Sequence, residues 1–367
     1  MNKLKFIMAS AMCFAALSFT AQSDAELAAH ANALHKSMFT IDTHTDTAIH
    51  LSHPKYDENG NYKGQITFPK MKEGGLDAAF FAIYLGQGPC DEVSSKKATQ
   101  YAVNEINLFK EYVSRHAEEA EIAWCADDFW KIKNKGKSAV LFAIENGYAL
   151  GKEISNVEMF YKMGVRAITL SHNYNNDICD ASRDSVVRWH GLSPYGLQVV
   201  KEMNRLGIIV DISHTSTETL FDCIEASAAP IIATHSCVWN LKDHPRNLKD
   251  DEIKAIAAKG GVIQVTTGRW ALSWLPHAQV NVSTFCDHVD YVKHLVGVEH
   301  VGIGTDFDGG GGMNQLEDVT KMKNITIELL RRGWTDEEIK LFWGENVIRV
   351  MKEVEKVAHE IQGASAN

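Results

Sequence analysis

The sequence has no block of basic residues and no low-complexity tract, and its acidic residues outnumber its basic ones to give a formal net charge of −10. A chain of this charge lacks the positive patch that attracts nucleic acid or an anionic membrane surface. We therefore expect no nucleic-acid partner and no charge-driven binding to a membrane.

An apolar run from Phe6 to about Phe19 follows two lysines and is too short for a comfortable membrane span. Small residues come next, and the whole pattern predicts a secretory signal over residues 1–23, removed at Ala21 or Ser23. The C-terminus lacks the hydrophobic tail of a GPI signal. These features predict an exported protein, periplasmic or secreted, that is soluble and has no membrane anchor.

Cysteine is scarce, with seven residues in the chain, one of them within the predicted signal. An exported protein can form disulfides, but a core of this size does not require them. Cys90 and Cys179 lie in polar, loop-like surroundings, and we predict that they pair. Cys125, Cys223 and Cys286 have apolar or helical neighbours and are predicted to be buried thiols.

Eight apolar segments alternate with helical segments along the rest of the chain. Each is continuously apolar, which is typical of strands buried on both faces of a parallel sheet. This alternation predicts an α/β fold, a (β/α)8 TIM-type barrel, as a single domain over residues 24–367. An open doubly wound sheet usually has a Gly-rich phosphate turn after its first strand, and none is present here. The predicted strands are 39–43, 76–85, 139–144, 165–170, 208–212, 230–233, 262–265 and 301–303.

Two capping boxes predict where helices begin, one formed by Ser155 with Glu158 and the other by Thr335 with Glu338. Residues 50–68 are polar and contain Gly, Asn and Pro, so we expect a long loop there. Loops of that length are common on the working face of an enzyme.

Polar residues follow most of the predicted strands. In a (β/α)8 barrel the carboxyl ends of all strands lie on one rim, where active sites are found. A single His at such a position is more often a hydrogen-bonded loop residue, and a single acid is more often a helix cap. Six or more strand ends with the same chemistry are not explained in that way. The candidate residues are His44, Asp46, Glu145, His172, His214, His235 and Asp306.

Imidazole and carboxylate groups together suit zinc better than calcium or magnesium, which prefer oxygen ligands. Five ligands exceed the need of one tetrahedral zinc, so we expect two zinc ions per chain. His44 and Asp46 would hold the first ion, His214 and His235 the second, and Glu145 would bridge both. Two such ions can share a hydroxide and stabilise a hydrolytic transition state.

Three further residues have predicted roles in the chemistry. His172 is a donor to the developing oxyanion, and Asp306 carries a proton to the leaving amine. Arg246 is a candidate fork for a substrate carboxylate; a surface salt bridge is the alternative for this arginine.

The segments that carry these residues resemble the membrane (renal) dipeptidase family of zinc-dependent metallopeptidases (M19-like). They are 41–46, Ala143 to Gly147, Leu170 to Asn173, Asp211 to His214, Thr234 to Ser236, Pro245 to Asn247 and Gly302 to Gly309. The resemblance implies an amidohydrolase-like barrel, a dipeptide substrate and a homodimer. It implies that His44, Asp46, Glu145, His214 and His235 bind metal, with Glu145 as the bridge. It also implies that His172, Arg246 and Asp306 bind substrate or transfer protons.

The sequence departs from the mammalian members at Tyr174, where they have a cysteine, and in the segment Thr266 to Trp270, which lacks their substrate-binding tyrosine. The preference for an L- or a D-residue at the C-terminal position is therefore left open, as is the opening of β-lactams. Two alternatives are another amidohydrolase, such as an N-acyl-amino-acid hydrolase, and a non-catalytic barrel that binds metal or peptide. The pair His44 and Asp46, with Glu145 in place of a modified lysine, favours the dipeptidase.

Overall fold

The structure is a computed structural model that describes residues 22–52 and 64–365. The predicted signal therefore lies almost entirely outside the described residues, as does the middle of the loop predicted over residues 50–68. Within the described ranges, no helix has both the length and the apolar composition needed to cross a membrane.

The strands of the described chain form one parallel sheet. They are β1 (Ile41–Thr45), β2 (Ala78–Tyr84), β3 (Ala120–Ile122), β4 (Ser138–Glu145), β5 (Val165–Thr169), β6 (Ile209–Asp211), β7 (Ile231–Ala233), β8 (Val262–Val265) and β9 (Val301–Ile303). Eight of them follow the order β1-β2-β4-β5-β6-β7-β8-β9, and β3 pairs with β4 to one side of this path.

The sheet closes on itself between β1 and the segment that follows β9. The Asp306 amide donates to the His44 carbonyl oxygen at 2.9 Å, and the Asp46 amide donates to that of Phe307 at 2.9 Å. A parallel bridge between Thr45 and Phe307 lies between these two bonds. The (β/α)8 barrel predicted from strand–helix alternation is confirmed.

The short strand β3 was not predicted. It has only three residues, and it pairs with the first three residues of β4, Ser138–Val140. The neighbouring strand β5 begins to pair with β4 only at Phe142. Because β4 is long and β5 starts late, the start of β4 has a free edge that β3 fills.

Helices cover the outside of the barrel. They are Asp24–Ser37, Ile49–Ser52, Phe68–Gly74, Glu92–Arg115, Asp128–Asn134, Ser155–Lys162, Pro194–Leu206, Thr217–Ala226, Asp250–Ala258, Arg269–Leu272, Val282–Val296, Lys323–Arg331, Asp336–Lys340 and Asn346–Ser365, with a π-helical turn at Leu341–Glu345 and 3-10 turns at Gly147–Leu150, His277–Gln279, Val298–His300 and Val319–Lys321. The capping box of Thr335 and Glu338 is confirmed. The one predicted at Ser155 is wrong, because the helix already includes Ser155 and its cap, Ile154, has no side-chain acceptor.

Alternation along each strand divides the core in two. In β4, Ala139, Leu141 and Ala143 belong to a cluster inside the barrel, and the residues between them pack outward under the helices. The inner cluster includes Val347 and Met351 of the last helix. Because side chains repeat every two residues on a strand, Glu145 continues the inward series and points into the mouth of the barrel.

The predicted Cys90–Cys179 disulfide is wrong, since both cysteines are free thiols in the structure. Cys179 lies in the loop after β5 and is completely buried, and burial raises the pKa of its thiol to about 12. Cys90 is half-buried near the Gln87 side chain instead. The residues next to Cys179 in the sequence are polar and predicted a polar, loop-like environment, but the folded chain buries its side chain. Cys223 and Cys286 are buried as predicted, whereas Cys125 is partly exposed.

Candidate active site

A pocket of about 330 Å³ opens at the carboxyl end of the strands. Seven of the eight candidate residues line it: Asp46, Glu145, His172, His214, His235, Arg246 and Asp306. The eighth, His44, is buried just behind them, with its Nε2 atom 3.6 Å from Asp46. The structure therefore brings all eight residues together, although they come from seven separate stretches of the sequence.

Glu145 lies at the centre of the group. Its Oε1 atom is 3.2 Å from Nε2 of His214 and 3.5 Å from Nε2 of His235. Its Oε2 atom is 3.6 Å from Nε2 of His44. The two oxygens of one carboxylate thus face different histidines, which is the arrangement required of a ligand shared by two metal ions.

His44 lies among three carboxylates. Besides Glu145, its Nε2 atom is 3.6 Å from Oδ2 of Asp46 and 4.0 Å from Oδ1 of Asp306. Its ring stacks on that of His235, with centroids 3.8 Å apart. Among the described residues neither ring nitrogen of His44 has a hydrogen-bond partner, although both are buried. A buried nitrogen without a partner is costly, and a bound cation would remove that cost.

Burial and charge shift the pKa values of these groups in different directions. Burial lowers the pKa of His214 and of His235 well below the usual value, so both imidazoles are neutral. Burial acts in the same direction on His44, but Glu145 and Asp46 outweigh it and raise the His44 pKa. Burial and the Asp46 carboxylate raise the pKa of Asp306 well above its usual range. Carboxyl groups thus crowd the site, and two of its imidazoles are in the form that binds metal.

Two of the site residues adopt left-handed backbone conformations. His214 has a φ of 72° and Asp306 a φ of 61°. A non-glycine residue in this region is strained by roughly 1–3 kcal/mol and is held there by its surroundings. In both cases the chain turns sharply after a strand, and the turn directs the side chain into the pocket.

Two buried aspartates that support the site were not singled out in the sequence. Asp211 accepts from the hydroxyls of Thr169 and Thr234 at 2.5 and 2.6 Å, and also from two backbone amides. Asp42 accepts from the Thr305 hydroxyl at 2.5 Å and from its amide at 2.8 Å. A carboxylate inside an apolar strand needs such partners, and that anomaly was the signal available in the sequence.

Glycine at position 309 was also missed. A Cβ atom added there would lie 1.8 Å from Oδ2 of Asp46 and 2.6 Å from Oδ1 of Asp306. No side chain fits at that distance. Gly309 is therefore required for the two carboxylates to occupy their positions.

His172 and Arg246 occupy the wall of the pocket. The His172 ring lies against Tyr84 and His214, with centroids 4.8 and 4.3 Å away. Arg246 is buried and donates to the His235 carbonyl oxygen at 3.0 Å, while its Nε atom has no partner among the described residues. The indole of Trp270 lies 6.0 Å from the guanidinium and lines the pocket.

Comparisons with known proteins agree with this geometry. A family profile described as membrane dipeptidase (peptidase family M19) matches residues 28–365. Dipeptidase tcpJ of Claviceps purpurea (strain 20.1) is 33% identical over 305 residues, which are 82% of this chain and 72% of the fungal protein. Dipeptidase 3 of Rattus norvegicus is 32% identical over 356 residues, which are 94% of this chain and 70% of the rat protein.

A solved structure shows the same architecture. The crystal structure of the probable dipeptidase PvdM from Pseudomonas aeruginosa is 28% identical to this chain and superposes with a TM-score of 0.83. The match covers 91% of this chain and 100% of the Pseudomonas chain.

Proposed function

This chain belongs to the membrane dipeptidase family, peptidase family M19, and from that membership and the site geometry we propose that it is a zinc-dependent dipeptidase with a binuclear centre. The family and the enzyme class, a metallopeptidase that acts on dipeptides, agree with the resemblance found in the sequence. We also propose the identity of the metal, the number of ions and the roles of individual residues. One observation carries it: the oxygens of Glu145 face His44 on one side and His214 and His235 on the other.

The donor set fits two metal ions. Potential ligand atoms lie within 4.8 Å of one another in the group His44, Asp46 and Glu145, and likewise in the group Glu145, His214 and His235. The two groups share only Glu145. Mixed imidazole and carboxylate ligands are those that zinc prefers. When bound, two zinc ions supply Lewis-acid polarisation of the substrate carbonyl and a lowered pKa for nearby water.

The pocket residues bind and orient the dipeptide. Arg246 takes the C-terminal carboxylate, because burial lowers its pKa only to about 10 and its guanidinium remains charged at neutral pH. His172 donates a hydrogen bond to the carbonyl oxygen as that oxygen gains charge. Asp306 carries a proton to the amine that leaves. Each of these groups lines the same pocket as the metal ligands.

Two further parts of the proposal come from the sequence. Residues 1–23 are a secretory signal, and the mature chain, residues 24–367, works outside the cytoplasm as a single-domain enzyme. By resemblance to its family the enzyme is a homodimer. N-terminal sequencing of the exported protein tests whether the signal is removed. Size-exclusion chromatography with light scattering tests whether the enzyme is a dimer.

The experiment that tests the activity combines metal analysis with a substrate panel. The purified chain should contain close to two zinc ions and should hydrolyse L-L or L-D dipeptides in preference to tripeptides and N-acyl amino acids. One zinc ion or none, after incubation with excess zinc, would contradict the binuclear centre. Faster hydrolysis of N-acyl amino acids than of any dipeptide would instead favour the N-acyl-amino-acid hydrolase.

A further inference from the structure

The loop between β5 and α-helix Pro194–Leu206, here called the rim loop (residues 170–193), places a second arginine at the pocket. Arg183 lines the same cavity as Arg246, but its side chain is exposed where that of Arg246 is buried. Within residues 22–52 and 64–365, Arg183 forms no salt bridge and no hydrogen bond through its guanidinium. An unpaired cation at the mouth of a pocket is available to a ligand.

The acidic residues of the rim loop do not neutralise Arg183, because each has other partners. Asp180 accepts from the backbone amide of Arg188 at 3.0 Å and from that of the next residue at 2.9 Å. Asp184 accepts from two backbone amides of the loop, at 2.9 and 3.0 Å. Asp177 pairs with the guanidinium of Arg188 at 3.0 Å. The carboxylates of the loop therefore hold its shape, and the charge of Arg183 faces the pocket uncompensated.

The backbone beside Arg183 is fixed to the active site itself. The amide of Ser182 donates to the carbonyl oxygen of His214 at 2.7 Å. Ala181 forms an antiparallel bridge with Thr215. The Cα atom of Arg183 is thus held next to a metal-ligand candidate, and only the long side chain is free to adjust to a substrate.

Arg183 and Arg246 both line the pocket. Both are close enough to His172 and His244 to affect them: burial lowers the pKa of His244 to about 4, and Arg183 and then Arg246 contribute in the same direction. Burial also lowers the pKa of His172, with further contributions from both arginines. Four carboxylates also line the pocket, those of Asp46, Glu145, Asp306 and Asp308, and the first three of them surround His44. Two guanidinium groups that line one pocket favour a ligand with two negative charges.

We propose that Arg183 determines specificity by binding a side-chain carboxylate of the substrate, so that the enzyme prefers dipeptides whose C-terminal residue is aspartate or glutamate. Arg246 takes the main-chain carboxylate, and Arg183 takes the acidic group beside it. This inference rests on the proposed dipeptidase function. The substrates that Arg183 selects are dipeptides whose C-terminal residue carries two carboxylates.

The test compares substrates that differ only in charge. The zinc-loaded enzyme is assayed with Ala-Asp and Ala-Asn, with Ala-Glu and Ala-Gln, with Asp-Ala, and with Ala-Ala, each C-terminal residue in L and D form. We expect kcat/KM for the acid to exceed that for its amide by roughly tenfold or more, as a charged hydrogen bond implies. In Arg183→Gln the acid-to-amide ratio should fall to about one, mainly through KM. The ratio of the unmodified enzyme should also fall with added salt, because Arg183 is exposed.

A matched control is Arg115→Gln, which removes a positive charge from a helix surface outside the pocket. Its acid-to-amide ratio should equal that of the unmodified enzyme. An unmodified enzyme that cleaves Ala-Ala but shows no preference for acids would overturn the role of Arg183 and leave the dipeptidase function intact. If Arg183→Gln lowers kcat/KM equally for all substrates, Arg183 binds the main-chain carboxylate, and the proposal is contradicted. A preference of the unmodified enzyme for Asp-Ala would place the acidic residue at the N-terminal position of the substrate, which also contradicts the proposal. No hydrolysis of any dipeptide would refute the proposed function itself.

Discussion

The Nε2 atoms of His214 and His235 lie 3.0 Å apart and face the same oxygen of Glu145. A hydrogen bond on the side of the His235 ring away from Glu145 fixes the orientation of the ring. Its Nδ1 atom is 2.9 Å from the Thr234 hydroxyl, which itself donates to the Asp211 carboxylate. Since that hydroxyl proton is engaged, Nδ1 of His235 is the donor and Nε2 presents its lone pair to the pocket. A carboxylate that fixes a histidine tautomer in this way strengthens metal binding.

Asp211→Asn should therefore weaken zinc binding. The asparagine amide cannot accept from both threonine hydroxyls and from both backbone amides, because one of its two polar atoms is a donor. The hydrogen bonds that fix the His235 tautomer through Thr234 are therefore disturbed. We expect zinc affinity to fall about 10- to 100-fold, measured by competition with a chelator of known affinity. Asp318→Asn is the control, because Asp318 also accepts from a threonine hydroxyl and amide but lies outside the pocket. Unchanged zinc affinity in Asp211→Asn would contradict the positioning role.

Glu145→Gln should remove both zinc binding and turnover. The amide keeps the shape of the side chain but loses the charge and one acceptor, so it cannot serve two ions. The loss in kcat/KM should exceed the roughly 100-fold cost of losing a supporting residue. Elemental analysis should find fewer than two zinc ions. Glu105→Gln, at a buried glutamate on the helix Glu92–Arg115, should keep both ions; retained activity in Glu145→Gln would remove Glu145 from its role.

Gly309→Ala should inactivate the enzyme without unfolding it. The new methyl group would meet the Asp46 carboxylate at 1.8 Å, so that carboxylate must move. A displacement of this order costs roughly a hundredfold in rate, which steady-state kinetics will show. Gly363→Ala is the comparison, since among the described residues no atom outside the adjoining turns of its own helix lies within 4 Å of the added Cβ. That change should keep full activity, and a normal rate in Gly309→Ala would be inconsistent with the geometry.

His288 should make the fold sensitive to acid. Its Nδ1 atom accepts from the Val238 amide at 3.1 Å and its Nε2–H donates to the Leu272 carbonyl oxygen at 2.8 Å, so no site is left for a second proton. Burial lowers its pKa to about 4 from the ordinary 6.5. The unfolded chain therefore binds more protons than the folded chain between these two pKa values. The contribution of His288 to the free energy of unfolding is complete above about pH 6.5 and is lost as the pH falls towards 4.

The contribution of His288 to this loss is roughly 3 kcal/mol. Urea unfolding at several pH values measures it as the difference between the unmodified protein and His288→Gln, whose amide does not titrate. The variant should be less stable at pH 7 but should lose less stability on acidification. Burial also lowers the pKa of His35 to about 4. Both proteins therefore keep the part of the acid dependence that comes from His35. Parallel pH profiles would contradict the assignment to His288.

The sequence predicted which polar residues meet at the rim of the barrel, but it did not predict the residues that support them. His44, Glu145, His214 and His235 were found because each ends a strand, and strand ends in a barrel share one rim. The supporting pairs, such as Asp42 with Thr305, join residues from opposite ends of the chain. The Cys90–Cys179 prediction failed for a related reason, since the sequence neighbours of Cys179 are polar while its spatial neighbours bury it.

What the sequence by itself determined is the barrel and the kind of chemistry at its mouth, because hydrophobic periodicity fixes strands and helices, and parallel strands deliver their last residues to a common edge. What only the tertiary structure decided is which atoms meet there. The two faces of Glu145, the clearance at Gly309 and the unpaired charge of Arg183 all depend on contacts between distant loops. Those contacts form only when the barrel closes, so no local pattern in the chain encodes them.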